Sequence, residues 1–148
     1  MKAIFTKDEY VRYVEQKAPK SKVMKNILRA FLVGGVICAG GQLITNWLKA
    51  RGVPAENAAN LTALILVCVG ALFTGLNIYD EIGRFAGAGS IVPITGFANS
   101  IVSPAMEFRS EGFITGVGAR MFVIAGPVLV YGISASVIAG IIYYLLRF

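Results

Sequence analysis

Four stretches of this 148-residue chain carry no charged side chain, and they constrain it more than any other feature. They cover residues 30–48, 57–79, 85–106 and 121–146, holding 19, 23, 22 and 26 residues. A run of about 18 or more such residues is a candidate membrane span, because no lysine or carboxylate is carried into hydrocarbon. Charged residues make up 15% of the chain, where a soluble domain holds about a quarter. A soluble globular domain is excluded. The pattern predicts an all-α, polytopic helical membrane protein with three to four transmembrane helices.

The charges that remain are unevenly placed. Residues 1–29 hold eight lysines and arginines against Asp8, Glu9 and Glu15. A basic segment next to the first span is the positive-inside signal, so the N-terminus is expected to be cytoplasmic. The same charges suit contact with anionic lipid headgroups, and no nucleic-acid partner is expected. The first apolar run begins near Ile27, too late for a secretory signal. Cys38 and Cys68 each fall inside an uncharged run and form no CxxC pair, so neither a disulfide nor a metal site is expected. Histidine is absent, which removes the commonest general base and metal ligand. Asp80 and Glu81 are adjacent, and side chains one residue apart on a helix do not face each other. No enzyme, cofactor or metal is expected.

Two parts are read from this: a basic, amphipathic N-terminal segment over 1–22 and a helical membrane domain over 23–148. Thr6-Lys7-Asp8-Glu9 is a capping box, and Tyr10, Tyr13, Val14 and Lys17 share one face of the short helix it would open. Pro19 should end that helix at Ala18. Spans are expected over about 23–48 and 57–79, joined by the turn Gly52-Val53-Pro54. A last span is expected within 112–146, with Gly126-Pro127 as a natural kink site.

The third run differs in kind. It holds Gly87, Gly89, Pro93, Gly96 and Pro104 with five Ser, Thr or Asn residues, and no leucine. A break near Ile91–Gly96 leaves a leading piece of about eight residues, ~12 Å long, too short to cross a ~30 Å core. A broken or re-entrant segment over 84–108 is therefore expected rather than a simple span. Non-helical backbone at membrane depth requires protein or a water-filled cavity around it. Pro93, Thr95, Gly96 and Asn99 are the gate candidates on this ground.

Two stripes accompany it. Gly35, Ala39, Gln42 and Asn46 share one face of the first span, and Gly70, Thr74, Asn77 and Glu81 repeat that spacing on the second. Small and amide side chains on a membrane helix either pack on another helix or line water. Both readings stand for Gln42, Asn46, Thr74 and Asn77, while Gly35, Ala39 and Gly70 suit close packing. Gly132, Ser136 and Gly140 form a purely small stripe, for which packing is the better reading. Arg84 and Arg120 flank apolar sequence, either to snorkel toward headgroups and carboxylates or to attract an anion.

The run Gly83-Arg-Phe-Ala-Gly-Ala-Gly-Ser-Ile-Val-Pro-Ile-Thr-Gly-Phe-Ala-Asn-Ser100 closely resembles the signature of the SpoVA membrane proteins of endospore-forming bacteria. Phe31-Leu-Val-Gly-Gly-Val-Ile-Cys-Ala-Gly-Gly-Gln42 and Gly112-Phe113 resemble it as well. The N-terminal Lys17-Ala-Pro-Lys20 and the run from Arg120 to Gly132 narrow the resemblance to one branch. The resemblance implies a subunit that moves dipicolinic acid, with calcium, across the spore inner membrane in sporulation and germination. It further implies a mechanosensitive channel component. Implied partners are other SpoVA proteins, the membrane protein AEb and the soluble, dipicolinate-binding AD, in a homo- or hetero-oligomer. A structural scaffold or a carrier is the alternative to a channel.

Overall fold

The computed structural model describes residues 6–17 and 21–147, apart from the side chain of Lys7, and all regular structure among them is helical. The expected helix break at Ala18-Pro19 lies outside the described residues. Helix α1 (Lys7–Lys17) is opened by the capping box: Thr6 N and Thr6 Oγ1 both donate to Glu9 Oε2 at 2.8 Å.

Helices α2 (Val23–Ala50) and α3 (Ala55–Gly75) form an antiparallel pair through the turn at Gly52, whose φ is +85°. Gly41 of α2 sits against Leu66 and Thr62 of α3, and Thr45 Oγ1 lies 2.8 Å from Thr62 Oγ1. At ~1.5 Å per residue α3 is ~31 Å long, a match for the hydrocarbon core, while α2 reaches ~42 Å and protrudes.

The second span stops four residues before the expected Tyr79. Asn77 takes a left-handed conformation with φ +58°, which asparagine tolerates better than most residues, and helix α4 (Ile78–Ala86) starts in a new direction. The third run is then interrupted twice rather than once. Gly87, with φ +54°, ends α4 and begins the four-residue α5 (Ala88–Ile91); Pro93 ends that piece and starts α6 (Ile94–Glu107). Proline has no N–H to give an ongoing helix; Val92 before it keeps helical angles, and the extended ψ of 161° at Pro93 itself makes the break. The leading piece is thus shorter than the eight residues expected.

Helix α6 runs parallel to α3: Gly70 touches Thr95 and Ala98, and one turn further on Thr74 bonds Asn99. The chain reaches the start of α6 by leaving α3 at Gly75, so α5 and α6 make a hairpin that returns to the end of α3 it left. Its tip stands level with Gly70, about 8 Å back along α3 from Gly75. The 84–108 segment is broken, as expected, and folds back beside α3 instead of running as one continuous helix.

A 3-10 turn (Phe108–Glu111), Gly112 with φ +100° and a π-helical turn (Phe113–Gly118) lead into α7 (Phe122–Arg147). Helix α7 is continuous through Pro127; the irregular stretch lies ahead of it at 113–118, not at Gly126-Pro127. Three helical stretches are long and apolar enough to cross a membrane, Val23–Ala50, Ala55–Gly75 and Phe113–Arg147.

Candidate functional site

The hairpin is seated by two backbone approaches. Gly89 of α5 lies so close to the backbone of Ala30 on α2 that a Cβ there would collide with the Ala30 carbonyl, and Gly34 lies against Gly89 in turn. On the other side a Cβ at Gly70 would sit 2.9 Å from the Thr95 carbonyl oxygen. Any larger residue at these contacts would force the hairpin off its supports.

Polar bonds complete the seat. Tyr79, buried at 4% exposure, donates its hydroxyl to the Ser90 carbonyl at 2.7 Å, and its oxygen lies 2.8 Å from Thr95 Oγ1. A phenol has one proton, and a carbonyl only accepts, so Thr95 supplies the proton of the second bond. One side chain from α4 therefore ties together both limbs of the hairpin. Thr74 Oγ1 shares its proton between the Gly70 carbonyl at 2.7 Å and Asn99 Oδ1 at 2.9 Å. Among the described residues no buried side-chain nitrogen or oxygen is left without a partner.

Beside this seat a polar cavity of about 520 Å³ opens between the end of α3, α4 and α6. Thr74, Asn77, Asp80, Glu81, Asn99, Ser103, Met106 and Glu107 line it. Its wall is rich in acceptors and holds three carboxylates, yet no chelating group of three or more His, Cys, Asp or Glu residues forms among the described residues. Arg84 is not part of that lining but pairs with two of its carboxylates, 2.9 Å from Asp80 Oδ2 and 2.8 Å from Glu81 Oε1. These pairs are about two-thirds exposed, and Arg84 lines a separate cavity with Arg29 and Phe85. Arg120 does not line the polar cavity: it lies over the Phe108 ring at 4.4 Å and 3.9 Å from Glu111.

The sequence-derived candidates fall into groups. Thr95 and Gly96 are buried in the hairpin, Pro93 is half-buried at its turn, and Asn99 joins Thr74 and Asn77 at the cavity. Gln42 and Asn46 are elsewhere: Gln42 Nε2 donates to Asn46 Oδ1 at 2.9 Å on the exposed face of α2. Gly70 packs as a small residue should. Gly35, Ala39, Gly132, Ser136 and Gly140 are exposed, with Ser136 donating to its own helix at the Gly132 carbonyl. Sequence reasoning missed Tyr79, Ser103 and Glu107. Tyr79 beside Asp80-Glu81 reads as an interfacial anchor, and only the turn at Asn77 carries it inward.

A profile of the SpoVAC/SpoVAEB sporulation membrane proteins matches residues 26–142, which run from the first turns of α2 almost to the end of α7. This chain belongs to that family. It is 47% identical over 139 residues to stage V sporulation protein AC of Bacillus subtilis (strain 168), covering 93% of each chain. No solved structure matches it. The family match includes the hairpin, the cavity wall and every candidate residue from Gly35 to Gly140. The chain is thus a sporulation membrane protein of the SpoVA group.

Proposed function

We propose that this chain is a channel subunit for dipicolinic acid, moving with calcium across the spore inner membrane in sporulation and germination, and not an enzyme. Its N-terminal basic segment is cytoplasmic, and its partners are the membrane protein AEb, the soluble AD and the lipids around it. The observation that carries the reading is the broken hairpin, whose Asn99 and Ser103 line a polar cavity while Ser90 and Thr95 are buried against Tyr79. Non-helical backbone at membrane depth is maintained where protein surrounds it or it borders a water-filled cavity, and this segment has both. Pro93, Thr95, Gly96 and Asn99 form the gate, and Thr74 and Asn77 line the approach. Arg84 offers the anionic solute its first cationic contact, and Glu107 offers the accompanying cation a carboxylate.

Tension suits such a gate. The hairpin spans only part of the membrane and is held by Tyr79 and by glycine contacts to two different spans, so lateral separation of α2 and α3 pulls its supports apart. A scaffold role is the second reading, favoured by α7, in which only Ala125 is buried. Purified protein alone in liposomes separates the readings. Discrete tension-activated currents together with dipicolinate flux support the channel. Saturable flux without such currents makes it a carrier, and silence makes it a scaffold.

A further inference from the structure

Gln42 and Asn46 are the anomaly in this fold. Both project from α2 on the side away from α3 and the hairpin, whereas Gly34, Gly41 and Leu48 face the bundle. Gln42 lies near mid-depth, since the neighbouring Gly41 packs on Thr62 and Leu66 close to the midpoint of α3, and Asn46 lies one turn nearer the α2–α3 turn, beside Thr45, which meets Thr62. The pair bonds internally once, Gln42 Nε2 to Asn46 Oδ1. Gln42 Oε1 and Asn46 Nδ2 hold no further bond among the described residues. Hydrocarbon offers neither a donor nor an acceptor, so leaving these atoms against lipid tails is unfavourable.

We propose that a second copy of this chain covers them, with α2 packed against α2 of the partner. Copies inserted in one membrane share an orientation, so the twofold axis stands along the membrane normal and residue 42 meets residue 42 at equal depth. The unused groups are then self-complementary. Asn46 Nδ2 donates to Oε1 of the partner's Gln42, the symmetric bond closes the set, and with the two internal bonds a ring of four amides forms. Gly35, with nothing within 4 Å of its Cβ position, and Ala39 stand on the same face and let the two backbones approach. The pairing does not depend on the channel reading and holds equally for a scaffold.

The test uses the full-length chain in liposomes. Fluorescently labelled protein is titrated in lipid dilution to measure self-association by energy transfer, for the native chain and for the doubly substituted Gln42→Leu, Asn46→Leu. The substitution is expected to weaken association about 3- to 30-fold, the range for interhelical side-chain hydrogen bonds in membranes. Circular dichroism checks that helicity is retained. As a second readout, Ala39→Cys and Ile37→Cys are each placed in a Cys38→Ser, Cys68→Ser background and oxidised. Ala39→Cys should give a disulfide-linked dimer, and Ile37→Cys, on the bundle side, should not. A chain that is monomeric at all dilutions overturns the proposal and assigns the face to a different protein. Equal association of the Leu variant, or equal cross-linking at both positions, also overturns it.

Discussion

The hydroxyl of Tyr79 lies 2.7 Å from the carbonyl oxygen of Ser90, eleven residues along the chain and across the turn that starts the broken hairpin. That bond, with its companion to Thr95, joins α4 to both limbs of a segment that otherwise rests on glycine contacts and on the Thr74–Asn99 bond. Tyr79→Phe removes one oxygen and leaves the ring packed. The Ser90 carbonyl and Thr95 hydroxyl then stay buried without this partner, at a cost of about 1–3 kcal/mol. Thermal unfolding in detergent should show the loss directly. If the hairpin is the gate, the same variant should open at lower tension in patch recordings.

Glycine substitutions on the two spans should have opposite outcomes. Gly70→Val places a methyl-bearing carbon against the Thr95 backbone and Ala98, which must move apart from α3. Overpacking of this kind typically costs about 1–3 kcal/mol, and here it should also unseat α6. Gly35→Ala meets nothing within 4 Å in the single chain. Monomer stability in detergent should fall for the first and hold or rise slightly for the second, alanine being the better helix former. Equal losses at both positions would show that the face of α2 bearing Gly35 already packs within the monomer.

The membrane class and the odd character of the third run were legible because both rest on composition: absence of charge over long runs, and proline with glycine where a helix should be. The point at which α3 stops was not legible. Gly70, Thr74, Asn77 and Glu81 keep helical spacing in the sequence, yet the left-handed turn at Asn77 puts the last two on a different element. They still reach the same cavity as Thr74, by a route that periodicity cannot reveal. Asparagine's tolerance of positive φ was the available signal, and it is weak at a single position. Gln42 and Asn46 failed to join that cavity for a simple geometric reason. A stripe shows which side chains share a face, but not which way the face turns, and α2 turns this one outward.

Acid should loosen the N-terminal helix. Glu9 accepts from the backbone N–H and the hydroxyl of Thr6, and the backbone bond is the larger cause that holds its carboxyl below the ordinary range. A carboxyl lowered in the folded state contributes stability that is present above its unfolded value and lost as pH falls through the folded one. A spin label at Val14 should therefore gain mobility on acidification below the ordinary carboxylate range in the native chain. In Glu9→Gln the label should be more mobile at neutral pH and change less on acidification. The group is fully exposed, so the effect is local to α1 and should leave global unfolding unchanged.

The charges on the cavity wall and paired with it set the ionic preference of any path through it. Arg84 is paired with Asp80 and Glu81, but all three side chains are about two-thirds exposed, so Arg84→Gln should change stability by less than about 1 kcal/mol. Its electrostatic effect is larger than its structural one. Without the guanidinium the wall keeps Asp80, Glu81 and Glu107 uncompensated, and reversal potentials under a salt gradient should move toward cation preference. Glu107→Gln should move them the other way. Both shifts should fade in about 1 M salt, where the screening length drops to ~3 Å. Stable variants with currents whose selectivity ignores both residues would place the conducting path away from this cavity, along the face where the copies meet.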